Sequence, residues 1–249
     1  MNNYKKRRGI LPGFAIACLS VLTPGGNIYS QGLSGTSGLF NIPVAYMLED
    51  RTVILGAHFL HRDYGSYKYE TDKSYEWHGV GTFATIAFLP WMEVQFRYTH
   101  LVDRVISPST KYFPDRMTTF RFRLIAEKRY VPAIAVGFQD MLGCCTYFKG
   151  NYLVASKSVS LAGFRAQGHV GYSMPFPDHR NPRRVPEGLF GGMSLSLQRY
   201  PGLELMLEHD SYRWNIAGRV LLFKHLQILA GWYEWKVFSG GLSWRMVAK

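Results

Sequence analysis

The segment RMTTFRFRLIA, residues 116–126, decides the fold of this chain. Successive side chains of a β-strand point to opposite faces of the sheet. On that spacing one face of the segment carries Thr118, Phe120, Phe122, Leu124 and Ala126. The other face carries Thr119, Arg121 and Arg123. The segment therefore predicts a strand with one mainly apolar face and one polar, basic face.

The same alternation recurs from residue 52 to the end of the chain. We predict about twelve strands, at 52–62, 76–88, 91–101, 116–127, 132–140, 151–158, 162–173, 188–198, 202–210, 213–223, 225–235 and 237–246. Strands of about 9–11 residues have the length of a tilted membrane strand, and an even set of them closes into a barrel without edges. Alternation alone also fits a soluble sandwich with one wet face.

The connections between the predicted strands favour the barrel. Long connections fall at 63–75, 102–115, 141–150 and 174–187, and short ones fall between them. Membrane barrels have short periplasmic turns and longer outer loops. Aromatic residues make up 15% of the chain, which fits aromatic girdles at two membrane interfaces. We therefore expect an all-β, antiparallel transmembrane β-barrel of about 12 strands over residues 52–249.

The first 31 residues predict a cleaved signal peptide. Four basic residues at 5–8 precede a mostly apolar run over 10–22, which is too short to span a bilayer. We expect cleavage near Ser30 and Gln31, and a periplasmic segment over 32–51 before the barrel. A rival interpretation is a lipoprotein signal with Cys18 acylated. Either signal predicts export and a Gram-negative outer-membrane location.

Charge and cysteine content exclude several classes of protein. The net charge of +12 falls to about +8 without the signal segment, and its basic residues are scattered rather than clustered on a helix. The chain is therefore not predicted to bind nucleic acid, whereas anionic polysaccharide or lipopolysaccharide would suit the same charges. Cys144 and Cys145 are adjacent, with no metal-ligand spacing, and a vicinal disulfide and two free thiols both stay open.

The polar faces of the predicted strands line the barrel interior. The candidate lumen-facing polar residues are Glu93, Arg97, Arg121, Arg123, Arg165, His169, Glu204, Glu208 and Arg219. Charges of mixed sign suit a narrow interior, where ion pairs and water satisfy buried groups. We favour the interpretation that they fill and stiffen the lumen over a ladder that carries a substrate.

No motif for catalysis or cofactor binding occurs in the chain. Nucleophile elbows, phosphate loops, zinc-binding His pairs and dinucleotide fingerprints are all missing from the sequence. His209, Asp210 and Ser211 are consecutive, and neighbouring residues of a strand point to opposite faces. His58, His61 and His78 are a weak metal candidate. We predict no enzyme activity, no cofactor and no metal site.

The end of the chain resembles a bacterial barrel-assembly signal. Gly241, Trp244 and Met246 occupy its glycine, aromatic and hydrophobic positions, although three further residues follow. The resemblance implies a final membrane strand.

Two stretches resemble the YjbH family of exopolysaccharide-associated outer-membrane proteins. The first is GLSGTSGLFNIPVA at 32–45. The second is YVPAIAVGFQD at 130–140, followed by NYLVASK at 151–157. The chain departs from the family pattern at 143–146 and at Asn151, and family members are often far longer. The resemblance implies an outer-membrane location and a part in polysaccharide secretion, and supplies no catalytic residues.

From these observations we expect an outer-membrane barrel that assists exopolysaccharide or capsule export or surface assembly. Its expected partners are outer-membrane lipid, anionic polysaccharide and other polysaccharide-export proteins. The alternatives are a general small-solute porin and a membrane-embedded lipid or glycan hydrolase.

Overall fold

The described part of the chain is built from β-strands. A computed structural model describes residues 31–62, 67–68, 74–75, 78–102, 115–142, 148–175 and 185–248. Residues 1–30 of the predicted signal peptide therefore lie outside the described residues, and so do Cys144 and Cys145.

Twelve strands form the main sheet, and two short ones form a separate ribbon. In chain order they are β1 (Thr52–Leu60), β2 (Tyr67–Lys68), β3 (Ser74–Tyr75), β4 (Gly79–Leu89), β5 (Met92–Leu101), β6 (Asp115–Ile125), β7 (Ala133–Gln139), β8 (Gly150–Leu161), β9 (Phe164–Pro175), β10 (Gly188–Leu197), β11 (Tyr200–His209), β12 (Trp214–Leu222), β13 (Leu226–Tyr233) and β14 (Val237–Val247). The ribbon is β2 with β3. Each of the twelve long strands begins and ends within about three residues of its prediction.

The main sheet is a closed antiparallel barrel, as predicted. Each strand pairs with its neighbours in sequence, and β14 returns to pair with β1, with Val247 opposite Thr52. Closure leaves no strand edge unpaired, because every strand has two neighbours. The two faces of the alternating strands are therefore the inside and the outside of one closed barrel, and not the faces of a two-sheet sandwich.

The outer face of the barrel is apolar and exposed. Its mid-strand side chains include Phe96, Leu153, Val170, Leu205 and Leu242, each between 50% and 61% exposed. Exposed tryptophans lie near strand ends, with Trp91 and Trp244 at one end of the barrel and Trp214 and Trp235 at the other. Patches of this extent on a protein surface mark contact with a partner or with lipid.

No helix among the described residues has the length and apolar character that crossing a membrane requires.

The two ends of the barrel differ. At the short-turn end, β4 joins β5, β8 joins β9 and β10 joins β11 through two-residue connections at 90–91, 162–163 and 198–199. Longer connections lie at the opposite end, the long-loop end, between β1 and β4, β5 and β6, and β9 and β10. Residue 48 precedes β1, which begins at the short-turn end.

The interior of the barrel is filled by the chain that precedes β1. Residues 31–48 are buried almost throughout, and Leu33, Leu39, Phe40 and Ile42 belong to the main apolar cluster with exposures of 0–2%. The sequence predicted a periplasmic segment over 32–51, and the structure places residues 31–48 in the lumen, enclosed by the barrel wall. At Gly35 the backbone φ is +87°, and a Cβ would lie 2.6 Å from the Phe83 ring, so only glycine fits there.

Candidate functional site

The distinguishing site of this molecule is the contact between the barrel wall and residues 31–48, which we call the lumen plug. The plug contains no Asp, Glu, Lys, Arg or His. Part of its backbone pairs with itself, through isolated bridges between Gln31 and Ser37 and between Gly38 and Pro43 and through a few turn hydrogen bonds such as Leu33 N–H to Phe40 O (2.7 Å). Buried peptide groups need hydrogen-bond partners, so the remaining plug peptides depend on side chains of the wall.

Glu208 holds the tip of the plug. Its carboxylate, near the long-loop end of β11, accepts hydrogen bonds from three consecutive peptide N–H groups, those of Phe40 (3.0 Å), Asn41 (2.8 Å) and Ile42 (3.3 Å). The Asn215 side chain donates to the same carboxylate at 3.1 Å. An acidic side chain surrounded by donors in this way is a backbone-recognition site, because charge-assisted hydrogen bonds are the strongest of their kind.

Arg219 binds carbonyl groups of the neighbouring plug backbone. Its Nη2 donates to the carbonyl oxygens of Gly38 (2.7 Å) and Leu39 (2.9 Å). Its Nη1 lies 3.4 Å from Glu204 Oε2, which balances the buried charge. Two predicted lumen residues, one acidic and one basic, therefore bind the N–H and C=O groups of adjoining plug peptides.

A second charged pair lies near the short-turn end. Arg121 is fully buried, and its Nη1 lies 2.5 Å from Glu93 Oε2. Arg121 also donates to the carbonyl of Val44, while Glu93 Oε1 accepts from Ser37 Oγ (2.8 Å) and from the peptide N–H of Leu48 (2.5 Å). This ion pair is thus completed by plug groups on both partners, which is what a buried pair requires to offset its desolvation.

Neutral wall side chains complete the set of contacts. Thr85 donates to Gly35 O (2.6 Å), Gln95 to Ser34 O (3.0 Å) and Gln227 to Gln31 O (3.1 Å), and the Ala45 N–H donates to Ser156 Oγ (2.8 Å). These partners come from strands all round the barrel. The plug is therefore held by the whole wall and not by one face of it.

Two more predicted lumen residues are buried beside the plug without bonding its backbone. His169 Nδ1 lies 2.8 Å from Ser156 Oγ, and the imidazole packs edge-on against the Tyr46 ring at 5.9 Å. Arg97 lies towards the long-loop end, where its guanidinium carbon is 3.9 Å from the centre of the Phe148 ring. Such cation–π contacts stabilise a desolvated guanidinium.

The last two predicted lumen residues lie apart from the plug anchors. Arg123 and Arg165 line an open depression of about 700 Å³ at the short-turn end, where plug residues Tyr46 and Met47 leave the lumen. Lys128, Arg129 and Lys157 line it as well. We call the depression with these five cations the basic mouth.

One acidic residue, Glu127, lines the basic mouth among the described residues. It accepts hydrogen bonds from the Tyr46 hydroxyl (3.0 Å) and from Ser158, and lies 3.1 Å from Lys157 Nζ. Partial burial alone would raise the pKa of the Glu127 carboxyl, but these hydrogen bonds outweigh it and lower the pKa. Glu127 is therefore ionised at neutral pH and occupied by its own neighbours.

The catalytic and metal candidates of the sequence are not assembled. The Asp210 carboxylate accepts from the Asn41 and Asn215 side chains and from the N–H groups of Tyr212 and Arg213, and so organises a turn. The His209 ring packs on Trp214.

The histidines of the metal candidate divide between two environments. His58 lies inside the barrel with Nδ1 3.2 Å from Leu33 O, whereas the rings of His61 and His78 meet each other at 4.5 Å. Within the described ranges, no group of three or more His, Cys, Asp or Glu side chains is placed to hold a metal ion.

The plug itself is the part of the site that sequence reasoning missed. The sequence does contain a sign of it, because the 18 consecutive residues at 31–48 are all uncharged and include Leu33, Leu39, Phe40 and Ile42. A segment exposed to solvent would not be expected to have this composition. The wall residues Thr85, Gln95, Ser156 and Gln227 could not be recognised as its partners, because a lone hydroxyl or amide in a strand has no distinguishing pattern.

Comparison with known proteins assigns the family. The family model described as exopolysaccharide biosynthesis protein YbjH matches residues 30–175, which include the plug and the wall as far as β9. A protein of Escherichia coli (strain K12) described as uncharacterized lipoprotein YjbH is 25% identical over an alignment of 240 residues, which covers 84% of this chain. This chain spans 32% of that relative's length. The chain thus belongs to the YjbH family of exopolysaccharide biosynthesis proteins.

Proposed function

We propose that this protein is an outer-membrane barrel that assists the export or surface assembly of an exopolysaccharide and catalyses no reaction itself. The observation that carries the proposal is a closed barrel of a polysaccharide-biosynthesis family whose lumen is occupied by its own chain. A barrel closed in this way conducts only after its plug moves. That arrangement suits a component that acts together with other export proteins.

The outer surface supports a place in a lipid bilayer. Exposed leucine, valine and phenylalanine side chains cover the middle of the strands, and tryptophans lie near both ends. Lipid-facing barrels carry the same apolar band between two aromatic girdles. The apolar surface would be costly to expose to water, since roughly 25 cal/mol is lost per Å² of exposed apolar area.

The relative described as a lipoprotein supports envelope export of this chain too. Cys18 lies within the predicted apolar run over 10–22, and in a lipoprotein this cysteine would carry the acyl anchor. Mass spectrometry of the mature N-terminus distinguishes the two signals. A diacylglycerol-modified Cys18 would identify a lipoprotein, and an unmodified terminus near Gln31 would identify a cleaved signal peptide.

Neither alternative function has a comparable observation behind it. A porin needs a standing aqueous path, whereas residues 31–48 are buried along the lumen. A hydrolase needs converging catalytic groups, whereas His209 and Asp210 are engaged in packing and turn contacts.

A deletion strain tests the proposed function. We expect loss of surface exopolysaccharide, measured by sugar analysis of the washed cell surface, with unchanged uptake of small hydrophilic antibiotics. The wild-type gene on a plasmid should restore the polymer. Normal polysaccharide with reduced antibiotic uptake would instead identify a porin. Turnover of lipid or glycan by the purified protein would identify a hydrolase.

A further inference from the structure

The basic mouth is a concentration of positive charge at the short-turn end that takes no part in anchoring the plug backbone. Arg123, Lys128, Arg129, Lys157 and Arg165 line one open depression, in which the single described acidic residue is Glu127. We propose that the basic mouth binds a segment of an acidic polysaccharide, that is, a chain of sugars bearing carboxylate, sulfate or phosphate groups. For its ligand class this inference rests on the proposed function.

The charge balance of the depression favours an anionic ligand. Glu127 is held by Lys157, Ser158 and the Tyr46 hydroxyl, so its carboxylate is saturated by immediate neighbours. Arg123, Lys128 and Arg129 add three further positive charges to the same depression. Guanidinium groups bind carboxylate, sulfate and phosphate through paired hydrogen bonds, which suits them to charged sugars.

The orientation of the two arginines points to the barrel mouth and not to lipid. Arg123 is two residues from the buried Arg121 on β6, and Arg165 is four residues from the buried His169 on β9. Side chains at even spacing share a face of a strand, so both arginines are on the inward face. A phospholipid headgroup, by contrast, would be met by outward-facing residues of the rim.

The size and position of the depression suit a polymer segment. Its volume of about 700 Å³ is within the range of sites that hold ligands of several rings, roughly 300–1,000 Å³. It opens beside Tyr46 and Met47, where the plug leaves the lumen. A sugar chain bound there would stand at the entrance that the plug closes.

Calorimetry with matched sugars tests this proposal on the full-length protein in a nonionic detergent. The acidic probe is hexagalacturonate and the neutral probe is maltohexaose. We expect hexagalacturonate to bind and its affinity to fall steeply with added salt, because ions screen exposed charges over about 10 Å at 0.1 M. Maltohexaose should bind much more weakly or not at all.

Charge-removing variants locate the site. Replacing both Arg123 and Arg165 by glutamine should weaken hexagalacturonate binding by roughly tenfold or more, since two charge-assisted contacts with the sugar carboxylates are lost. The matched control replaces Arg199 and Lys224 by glutamine. These exposed cations occupy turns at the same end but outside the depression. The control should bind like the wild type.

A second pair of variants protects the test against misfolding. Lys128→Gln with Arg129→Gln changes only an exposed connection, and the barrel of each variant is checked by its heat-dependent mobility on gels. This pair should also weaken binding. Equal weakening by the control pair, or no binding of hexagalacturonate to wild type, would overturn the proposal. The proposal would also be overturned if Arg123 and Arg165 were needed for binding to phosphatidylglycerol nanodiscs but not for binding to hexagalacturonate.

Different results would contradict the role in polysaccharide export and the binding of sugar at the basic mouth. If hexagalacturonate does not bind but the deletion strain lacks surface polysaccharide, the proposed function stands and the basic mouth is not its polymer site. If the deletion strain keeps its polysaccharide, the proposed function fails whatever the mouth binds.

Discussion

At the scale of single residues, the plug is held because a few wall charges are placed to bind peptide groups. Glu208 is the strongest instance, since one carboxylate accepts from the N–H groups of Phe40, Asn41 and Ile42. Without it, three buried donors would lose their shared partner at once. An unsatisfied buried donor costs about 1–3 kcal/mol, so this single side chain carries much of the energy that keeps the tip in place.

We predict that Glu208→Ala releases the tip of the plug. A reporter cysteine at Thr36, which is 3% exposed, is introduced with Cys144 and Cys145 replaced by serine. Labelling of the reporter by a water-soluble maleimide should be slow in the parent and faster by about tenfold or more in Glu208→Ala, because at least about 2 kcal/mol of docking energy is lost.

The control for this prediction is Glu234→Ala. Glu234 is a half-exposed acid between β13 and β14, at the same end of the barrel, and contacts Arg213 at 3.6 Å. It should leave the labelling rate unchanged, because exposed ion pairs contribute little to stability. Equal rates in parent and Glu208→Ala would mean that the plug does not depend on this carboxylate.

Asp140 predicts a pH dependence of stability. It lies just beyond β7, and burial, together with the nearby charge of Asp115, raises its pKa to about 7. The unfolded chain ionises Asp140 near pH 4, whereas the folded protein keeps it protonated up to about pH 7. The contribution of Asp140 to stability is therefore greatest below pH 4 and is lost as the pH rises towards 7.

Asp140→Asn should remove that part of the pH dependence. Asparagine keeps an acceptor for the Phe148 N–H and tolerates the backbone φ of +57° found at this position. The fall of unfolding free energy with pH between pH 4 and 7 should become shallower, by an amount that corresponds to up to about one bound proton per molecule. Denaturant unfolding across that pH range measures it. An unchanged slope would show that Asp140 ionises normally in the folded protein.

At the scale of elements, the two stretches that resemble the family are in contact with each other. The first stretch is most of the plug, and the second forms β7 and β8 of the wall. Ser156 on β8 accepts the Ala45 N–H at 2.8 Å, and Lys157 next to it pairs with Glu127, which also binds Tyr46. The two motifs are therefore halves of one interface, between the wall and the plug.

Removing the plug as an element should open the barrel. A variant lacking residues 32–48 exposes Glu93, Arg121, Glu208 and Arg219 to a lumen that water can enter. We expect stable ion conductance in planar bilayers from the deletion variant and little from the intact protein. Heat-dependent gel mobility confirms that the shortened barrel has folded. A folded deletion variant with no conductance would show that other residues close the lumen.

The strands could be predicted from sequence because their period is local. In RMTTFRFRLIA each residue's face follows from its neighbours, so Arg121 is assigned to the lumen without knowing what it contacts. The plug could not be predicted in this way. It has no period, and its partners Glu208 and Arg219 lie more than 160 residues away along the chain. The alternation also assigns Arg121, which binds the plug, and Arg123, which lines the mouth, to the same face, so it cannot distinguish their roles.

At the scale of the whole molecule, polarity is reversed relative to a soluble protein. Charged residues such as Glu93, Arg121 and Glu208 are at most 1% exposed, while large apolar side chains cover the outside. The interior combines these charges with the apolar cluster around Leu33, Phe40 and Ile42, and the exterior is a largely apolar surface. We propose that folding and location are linked, since an apolar outer surface of this kind is more favourable in lipid than in water.

Leu205→Arg tests that link directly. Leu205 is near the middle of β11, points outward and is 61% exposed. If the strands span a bilayer, arginine at this depth should lower the free energy of unfolding in phospholipid vesicles by about 2–4 kcal/mol, whereas an exposed substitution in water costs about 0.5 kcal/mol or less. Phe223→Arg, in the turn after β12, is the matched control and should cost about 1 kcal/mol or less. A small loss for both variants would mean that the outer face meets water, and a large loss confined to Leu205→Arg would mean that it meets hydrocarbon.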